Sequence, residues 1–182
     1  MAWMRRLLGL GLLLIPLSRA AIERCGCDPA HPETMTPREC SLCREAEKQA
    51  PGNGIFFLQD VNPIKKNRWL ALPRNHGEGL HHLSRLSASE RNALWTAAID
   101  KAKSLWGAEW GVAYNGDKVR TQCHLHIHIG KLLKGVETGK PLTVYSVAQI
   151  PAPNGDGLWI HPHGKGMHVH QHEQTCETVL LR

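Results

Sequence analysis

Gln122-Cys123-His124-Leu125-His126-Ile127-His128-Ile129-Gly130 alternates histidine with aliphatic residues. In an extended strand successive side chains point to opposite faces, so His124, His126 and His128 share one face at a repeat of about 6.8 Å. Leu125, Ile127 and Ile129 share the other face and need a core to bury them. Three imidazoles at that repeat can gather around one phosphate group or one metal ion, and ordinary surface histidines have no use for such regular aliphatic backing. Phosphate chemistry and metal binding are the two readings to weigh.

The flanking sequence supplies the rest of a sheet. Trp110 to Tyr114 reads as a strand paired with the histidine strand, the two joined through Asn115-Gly116-Asp117-Lys118, a turn signal. Ile55-Phe56-Phe57-Leu58-Gln59-Asp60 and Arg68-Trp69-Leu70-Ala71-Leu72-Pro73 read as two more strands around the Asn62-Pro63 loop, after a turn at Pro51-Gly52-Asn53-Gly54. Ser87 with Glu90 makes a capping box, opening an amphipathic helix that turns Leu94, Ile99, Ala102 and Leu105 to a core and stops near Gly107. A shorter helix is expected over residues 38–49, and further strands over 143–150, 157–160, 167–169 and 175–181. The fold class is α+β, a single domain with a helix packed on an antiparallel sheet.

Residues 1–20 read as a secretory signal peptide: Arg5 and Arg6, an apolar run from Leu7 to Leu17, then Ser18-Arg19-Ala20 with cleavage after Ala20. The run is short of the roughly 20 residues that span a bilayer. Cys25, the first cysteine, lies too far downstream for a lipid anchor. The protein is thus expected to be exported, periplasmic or secreted, and an uncleaved leader would hold it at the membrane surface. Removing the leader takes three arginines and no acid from a formal charge of +6, leaving Lys65-Lys66-Asn67-Arg68 as the one basic cluster. A solvated loop is the better reading of that cluster, and no nucleic-acid partner is expected. Residues 21–37 are rich in Cys, Pro and charge and read as irregular. Residues 38–135 form the core of the domain, and the His-rich strands of 136–182 complete it.

The triad resembles the histidine-triad (HIT) family signature, His-φ-His-φ-His-φ-φ with φ apolar, from which His124 to Gly130 departs only in Gly130. Leu72-Pro73-Arg74-Asn75-His76 resembles the Pro-x-x-His segment before the family helix, and Asn115 lies before the triad as it does there. Arg120-Thr121-Gln122-x-His-x-His-Ile-His-Ile is especially similar to the bacterial CDP-diacylglycerol pyrophosphatases, a HIT-related branch. The resemblance covers about residues 40–130, and residues from Lys131 onward do not follow the family pattern. It implies a HIT-like fold, a nucleotide or nucleotide-lipid substrate and, since many members are homodimers, a second subunit.

The chemistry is also readable from the residues. A neutral imidazole with one N–H held by a backbone carbonyl offers its other nitrogen as a nucleophile, and His126, flanked by two imidazoles, is best placed to attack phosphorus. His128 is the candidate proton donor to the leaving group, with His124 orienting the row. Arg120, Thr121 and Gln122 would stabilise phosphate oxygens, and Asn115 would bind phosphate or ribose. This chemistry requires no cofactor.

Cys40-Ser41-Leu42-Cys43 has two readings. HIT-like proteins with a structural zinc pair a Cys-x-x-Cys with the Pro-x-x-His histidine and the first triad histidine, which implies Cys40, Cys43, His76 and His124 here. An oxidising compartment instead favours disulfides among Cys25, Cys27, Cys40 and Cys43. Cys123 reads as a core residue, and Cys176 as core or its partner. His161, His163, His168, His170 and His172 make a second histidine tract, readable as a metal site, a wall of the phosphate pocket or a polar sheet face. His81 and His82 read as surface residues. The tryptophans read as core, with Trp69 or Trp159 able to meet a nucleobase.

Two function classes follow. The first is an exported HIT-like hydrolase of nucleotide-bearing phosphoanhydrides or phosphoramidates, with CDP-diacylglycerol giving CMP and phosphatidate as the substrate suggested by the resemblance, or a nucleotidyl transferase using the same triad. The second is a non-catalytic metal-binding envelope protein. Asn115 and Arg120-Thr121-Gln122 favour the enzyme, because a metal store needs none of them.

Overall fold

Seven antiparallel strands follow the order β1-β2-β4-β3-β6-β7-β5 in one sheet. They are β1 (Ile55–Gln59), β2 (Trp69–Pro73), β3 (Trp110–Tyr114), β4 (Ile127–Lys131), β5 (Leu142–Val144), β6 (Gly157–His163) and β7 (Gly166–Glu173). Among the described residues two α-helices accompany them, α1 (Ser41–Glu47) and α2 (Ala88–Trp106). The computed structural model describes Ile22 and residues 25–51, 54–76, 80–137 and 139–182. The expected leader, and Gly52 and Asn53 of the expected turn, lie outside the described residues, among which no helix is long and apolar enough to cross a membrane.

One face of the sheet is the main core. Leu125, Ile127 and Ile129, the aliphatic half of the alternating tract, join Val112, Leu158, Ile160 and Val169 beneath α2. The α2 side of that core is Leu94, Trp95, Ala98, Ile99 and Ala102, spaced to form one helical stripe. Ser87 caps the helix as expected, its hydroxyl accepting from Glu90 N–H at 3.3 Å while Ser87 N–H donates to the Glu90 carboxylate at 2.8 Å. Gly107, at φ 55°, ends it. Leu105 is a correction: it is 41% exposed, and Trp106 packs on the core in its place.

The opposite face carries the chemistry. Directly paired residues form one row across six strands: Leu58 opposite Leu70, Leu70 opposite His128, His128 opposite Ala113, Ala113 opposite Trp159, and Trp159 opposite His170. The two histidine tracts therefore share a face, with His128 and His170 three strand spacings, about 14 Å, apart. Between them, Cys176, Val179 and Leu180 pack on Ala113 and Trp159.

Several elements differ from expectation for local reasons. The triad strand starts at Ile127, because the His124 carbonyl accepts from the His126 ring rather than from a neighbouring strand. Residues 143–150 give the short β5 and then a 3-10 turn, Val147–Gln149, closed by Ser146. Residues 175–181 form a 3-10 turn, Cys176–Val179, with a single bridge from Leu180 to Leu132, since Glu177 N–H donates to Asn115 instead of to a strand. The 38–49 helix opens with a 3-10 turn, Arg38–Cys40, before α1.

Candidate functional site

The β3–β4 connection folds over the sheet end and forms, with the β1–β2 loop and the C-terminal turn, a cavity of about 490 Å³. His126, His128, Asn115, Arg120, Thr121 and Gln122 all line it, as do Lys65 and Glu177. The His126 and His128 rings meet edge to face with centroids 4.9 Å apart. His126 Nδ1 donates to the His124 carbonyl at 2.8 Å, so Nε2 is the nitrogen left for the cavity. Burial, aided by the neighbouring His128, holds the His126 imidazole down at about 3. The ring is therefore neutral, with a free lone pair, over the whole physiological range.

His128 is fixed on both sides. Asn115 Oδ1 accepts from Glu177 N–H at 2.9 Å, which orients the amide so that its Nδ2 donates to His128 Nε2 at 3.3 Å. The His128 proton then sits on Nδ1, 3.5 Å from the Glu177 carboxylate. Burial lowers His128 to about 4 even though Glu177 pulls the other way. Asn115 thus reaches the cavity wall with both amide atoms engaged, and positions His128.

Glu177 is the residue that sequence reasoning missed, together with its partners. Its carboxylate accepts from Lys65 Nζ and Arg68 Nη1, both at 2.6 Å. Arg68 is only 1% exposed, and its remaining donors reach the Leu180 and Leu181 carbonyls. Burial pushes Glu177 up, but His128, Lys65 and Arg68 together outweigh it and hold the carboxyl at about 2. The solvated-loop reading of Lys65-Lys66-Asn67-Arg68 is corrected for Lys65 and Arg68, which are drawn in by an acid more than a hundred residues away in the chain.

Arg120 is buried, donates to the His81 carbonyl and to Asp117, and lies 5.2 Å over the Tyr114 ring. Its Nε and Nη1 are buried and have no acceptor among the described residues. Gln122 is tied up structurally, accepting from Ser41 and donating to the Arg38 carbonyl. Thr121 stands exposed at the rim. His81 is buried rather than at the surface, and His82 pairs with Asp117 at 2.8 Å.

His124 turns away from the cavity. Its ring lies 5.2 Å from His76, and burial lowers it to about 3. His124 Nε2 and His76 Nδ1 are both buried without a partner, while His76 Nε2 contacts Glu47 at 2.6 Å. These orphaned nitrogens are half of the expected zinc set, but the sulfurs of Cys40 and Cys43 gather elsewhere. Cys123 is a buried core residue as expected, and it is disulfide-bonded to Cys25, a pairing outside those expected among Cys25, Cys27, Cys40 and Cys43. Cys27, Cys40 and Cys43 are buried free thiols around that bond, with Cys40 Sγ 3.9 Å from Cys123 Sγ. Burial pushes the Cys40 thiol up to about 12. Among the described residues, the groups whose donors converge closely enough for a metal are Cys27, Cys40 and Cys123, and Glu137 with His161, His168 and His170. Cys123, spent in a disulfide, offers no thiolate. Cys176 is a buried free thiol in the sheet core.

Trp159 is closed to a nucleobase, since His170 is stacked on it at 3.6 Å. No protein-family model matches the chain, and no curated protein matches it.

Proposed function

We propose that this chain is a HIT-like hydrolase that cleaves a nucleotide-bearing phosphoanhydride or phosphoramidate through a phosphohistidine at His126. The setting of His126 carries the reading: a neutral imidazole, its Nδ1–H on a backbone carbonyl, its Nε2 left to a cavity whose wall includes the Arg120 guanidinium. In the first step Nε2 forms a bond to phosphorus as the bond to the leaving group breaks, and Arg120 takes up the charge on the phosphate oxygens. The positive charge that develops on the His126 ring is delocalised to Nδ1–H and stabilised by the His124 carbonyl. An arriving phosphate anion raises the pKa of His128, whose Nε2 then takes up a proton from solvent, parts from Asn115 Nδ2 and passes that proton to the departing oxygen, while Nδ1–H stays towards Glu177. Water then displaces His126 from phosphorus and restores the neutral ring.

A nucleotide-lipid such as CDP-diacylglycerol suits the cavity mouth. Val61, 97% exposed, and Ile64, 62% exposed, stand on the β1–β2 loop beside Lys65, and Val61 also lines the cavity. Two exposed aliphatic side chains next to the exposed Lys66 favour an acyl chain and an anionic surface over a free nucleotide.

The test is chromatographic detection of nucleotide released by the purified protein from CDP-diacylglycerol, ADP-ribose-type anhydrides and adenosine phosphoramidates. CMP or AMP released by the protein and not by His126→Ala supports the reading. Release that persists in His126→Ala, or no release from any of the three classes by folded protein, overturns it.

A further inference from the structure

The second histidine tract forms a site of its own. β6 and β7 pair His161 with His168 and Trp159 with His170, which sets three imidazoles on one sheet face. The connection between β4 and β5 brings the Glu137 carboxylate to the same place, and the donor atoms of the four side chains all lie within 4.8 Å of one another. His161 Nε2 is 3.3 Å from His170 Nε2 and 3.6 Å from Glu137 Oε1, and His168 Nδ1 is 2.5 Å from that oxygen. In a tetrahedral zinc centre with bonds of about 2.0–2.1 Å, neighbouring donors stand about 3.3–3.4 Å apart. Two of the three separations match that edge closely, and the third opens to it by a small rotation of an exposed carboxylate.

The surroundings are those of ligands. His161 Nδ1 donates to the Pro162 carbonyl at 3.0 Å, which fixes the tautomer and leaves Nε2 a lone pair aimed at the cluster. Ring planes are held from behind: Trp159 lies parallel to His170 at 3.6 Å and 4°, and His163 stacks on His168 at 3.5 Å and 15°. His161 and His170 are buried, and the ring nitrogen that each turns to the centre faces the other's at 3.3 Å, a pairing of two imidazole nitrogens that a shared cation would satisfy.

We propose that Glu137, His161, His168 and His170 bind one divalent ion of the zinc class in a closed tetrahedral centre. Four protein donors leave no open position, so the ion is structural. It ties the β4–β5 connection to the β6–β7 hairpin, where the hydrogen bonds named above are the local alternative. The centre lies about 14 Å along the sheet row from His128 and takes no part in the triad chemistry.

Cobalt titrated into chelator-stripped protein tests this, because its visible absorption reports coordination geometry. One equivalent should bind with the intense d–d bands of a tetrahedral site, without thiolate-to-cobalt charge transfer, and zinc should displace it. Glu137→Gln changes an exposed side chain and keeps the fold, and His168→Ala removes a ring at the edge of the cluster. Each should weaken binding by at least about tenfold, with His126→Ala binding as the parent does. Zinc should raise the Tm of the parent and not that of His168→Ala. Absence of tetrahedral cobalt bands, bands undiminished in both variants, or charge transfer from thiolate would overturn the assignment.

Discussion

Glu177→Gln removes one negative charge and almost no volume from the point where the C-terminal turn meets the triad. The carboxylate accepts from Lys65 and Arg68 at 2.6 Å each, and the Arg68 guanidinium is 1% exposed. Leaving a buried charge without its partner costs about 3–5 kcal/mol, and the glutamine amide recovers about 1 kcal/mol with a neutral hydrogen bond, for a net loss of about 2–4 kcal/mol. The depressed pKa gives a second route. A carboxyl held at about 2 against an ordinary value of 4.5 contributes on the order of 3 kcal/mol. That contribution is fully present above the unfolded value and is lost as pH falls through about 2. The two routes agree. Urea unfolding at pH 7 should therefore show Glu177→Gln less stable by about 3 kcal/mol. A variant within about 0.5 kcal/mol of the parent, the ordinary range for a surface substitution, would refute the argument that this acid anchors Arg68.

Other outcomes follow from the same groups. His124, His126 and His128 are held neutral by burial at about 3, 3 and 4. Their folded values lie below the unfolded value near 6.5, so stability is full above that pH and falls as the unfolded chain takes up protons below it. At pH 5 each ring costs about 2 kcal/mol, and the urea midpoint should drop sharply between pH 7.5 and 5; a flat profile there would contradict the burial argument. Cys25 and Cys123 stand 98 residues apart, so replacing both with serine should cost about 2–5 kcal/mol. Reductant should destabilise the parent alike and leave the double variant unchanged, whereas an unchanged parent midpoint in reductant would count against this pairing.

What was legible in the sequence is what leaves a local trace. The period of two from His124 to Ile129 assigned the aliphatic residues to the core face, and the Ser87–Glu90 capping box set the start of α2. The residues Asn115, Arg120, His126 and His128 do meet in one cavity. What was not legible depends on partners distant in the chain. Nothing near Arg68 announces that it will be buried and paired with Glu177, and nothing near Cys123 marks Cys25 as its partner. Glu177 carries no signal of its own either, since a lone acid in a C-terminal segment reads as solvated until the fold brings it beside His128. The hydrogen-bonding capacity of Gln122 and Asn115 was equally hidden, because both amides are spent on neighbours supplied by other segments. The four expected zinc donors share chain spacing with a known arrangement, but the Cys25–Cys123 bond draws the sulfurs into a separate cluster.

The central claim is a covalent bond from His126 Nε2 to phosphorus during turnover. Rapid acid-free quenching of the protein mixed with CDP-diacylglycerol, followed by intact-mass measurement and peptide mapping, tests it most directly. The account predicts a transient adduct of one phosphoryl or nucleotidyl group, acid-labile and base-stable as a phosphoramidate is, located on His126 and absent from His126→Ala. An adduct on any other residue, or turnover with no adduct at any quench time, would contradict it.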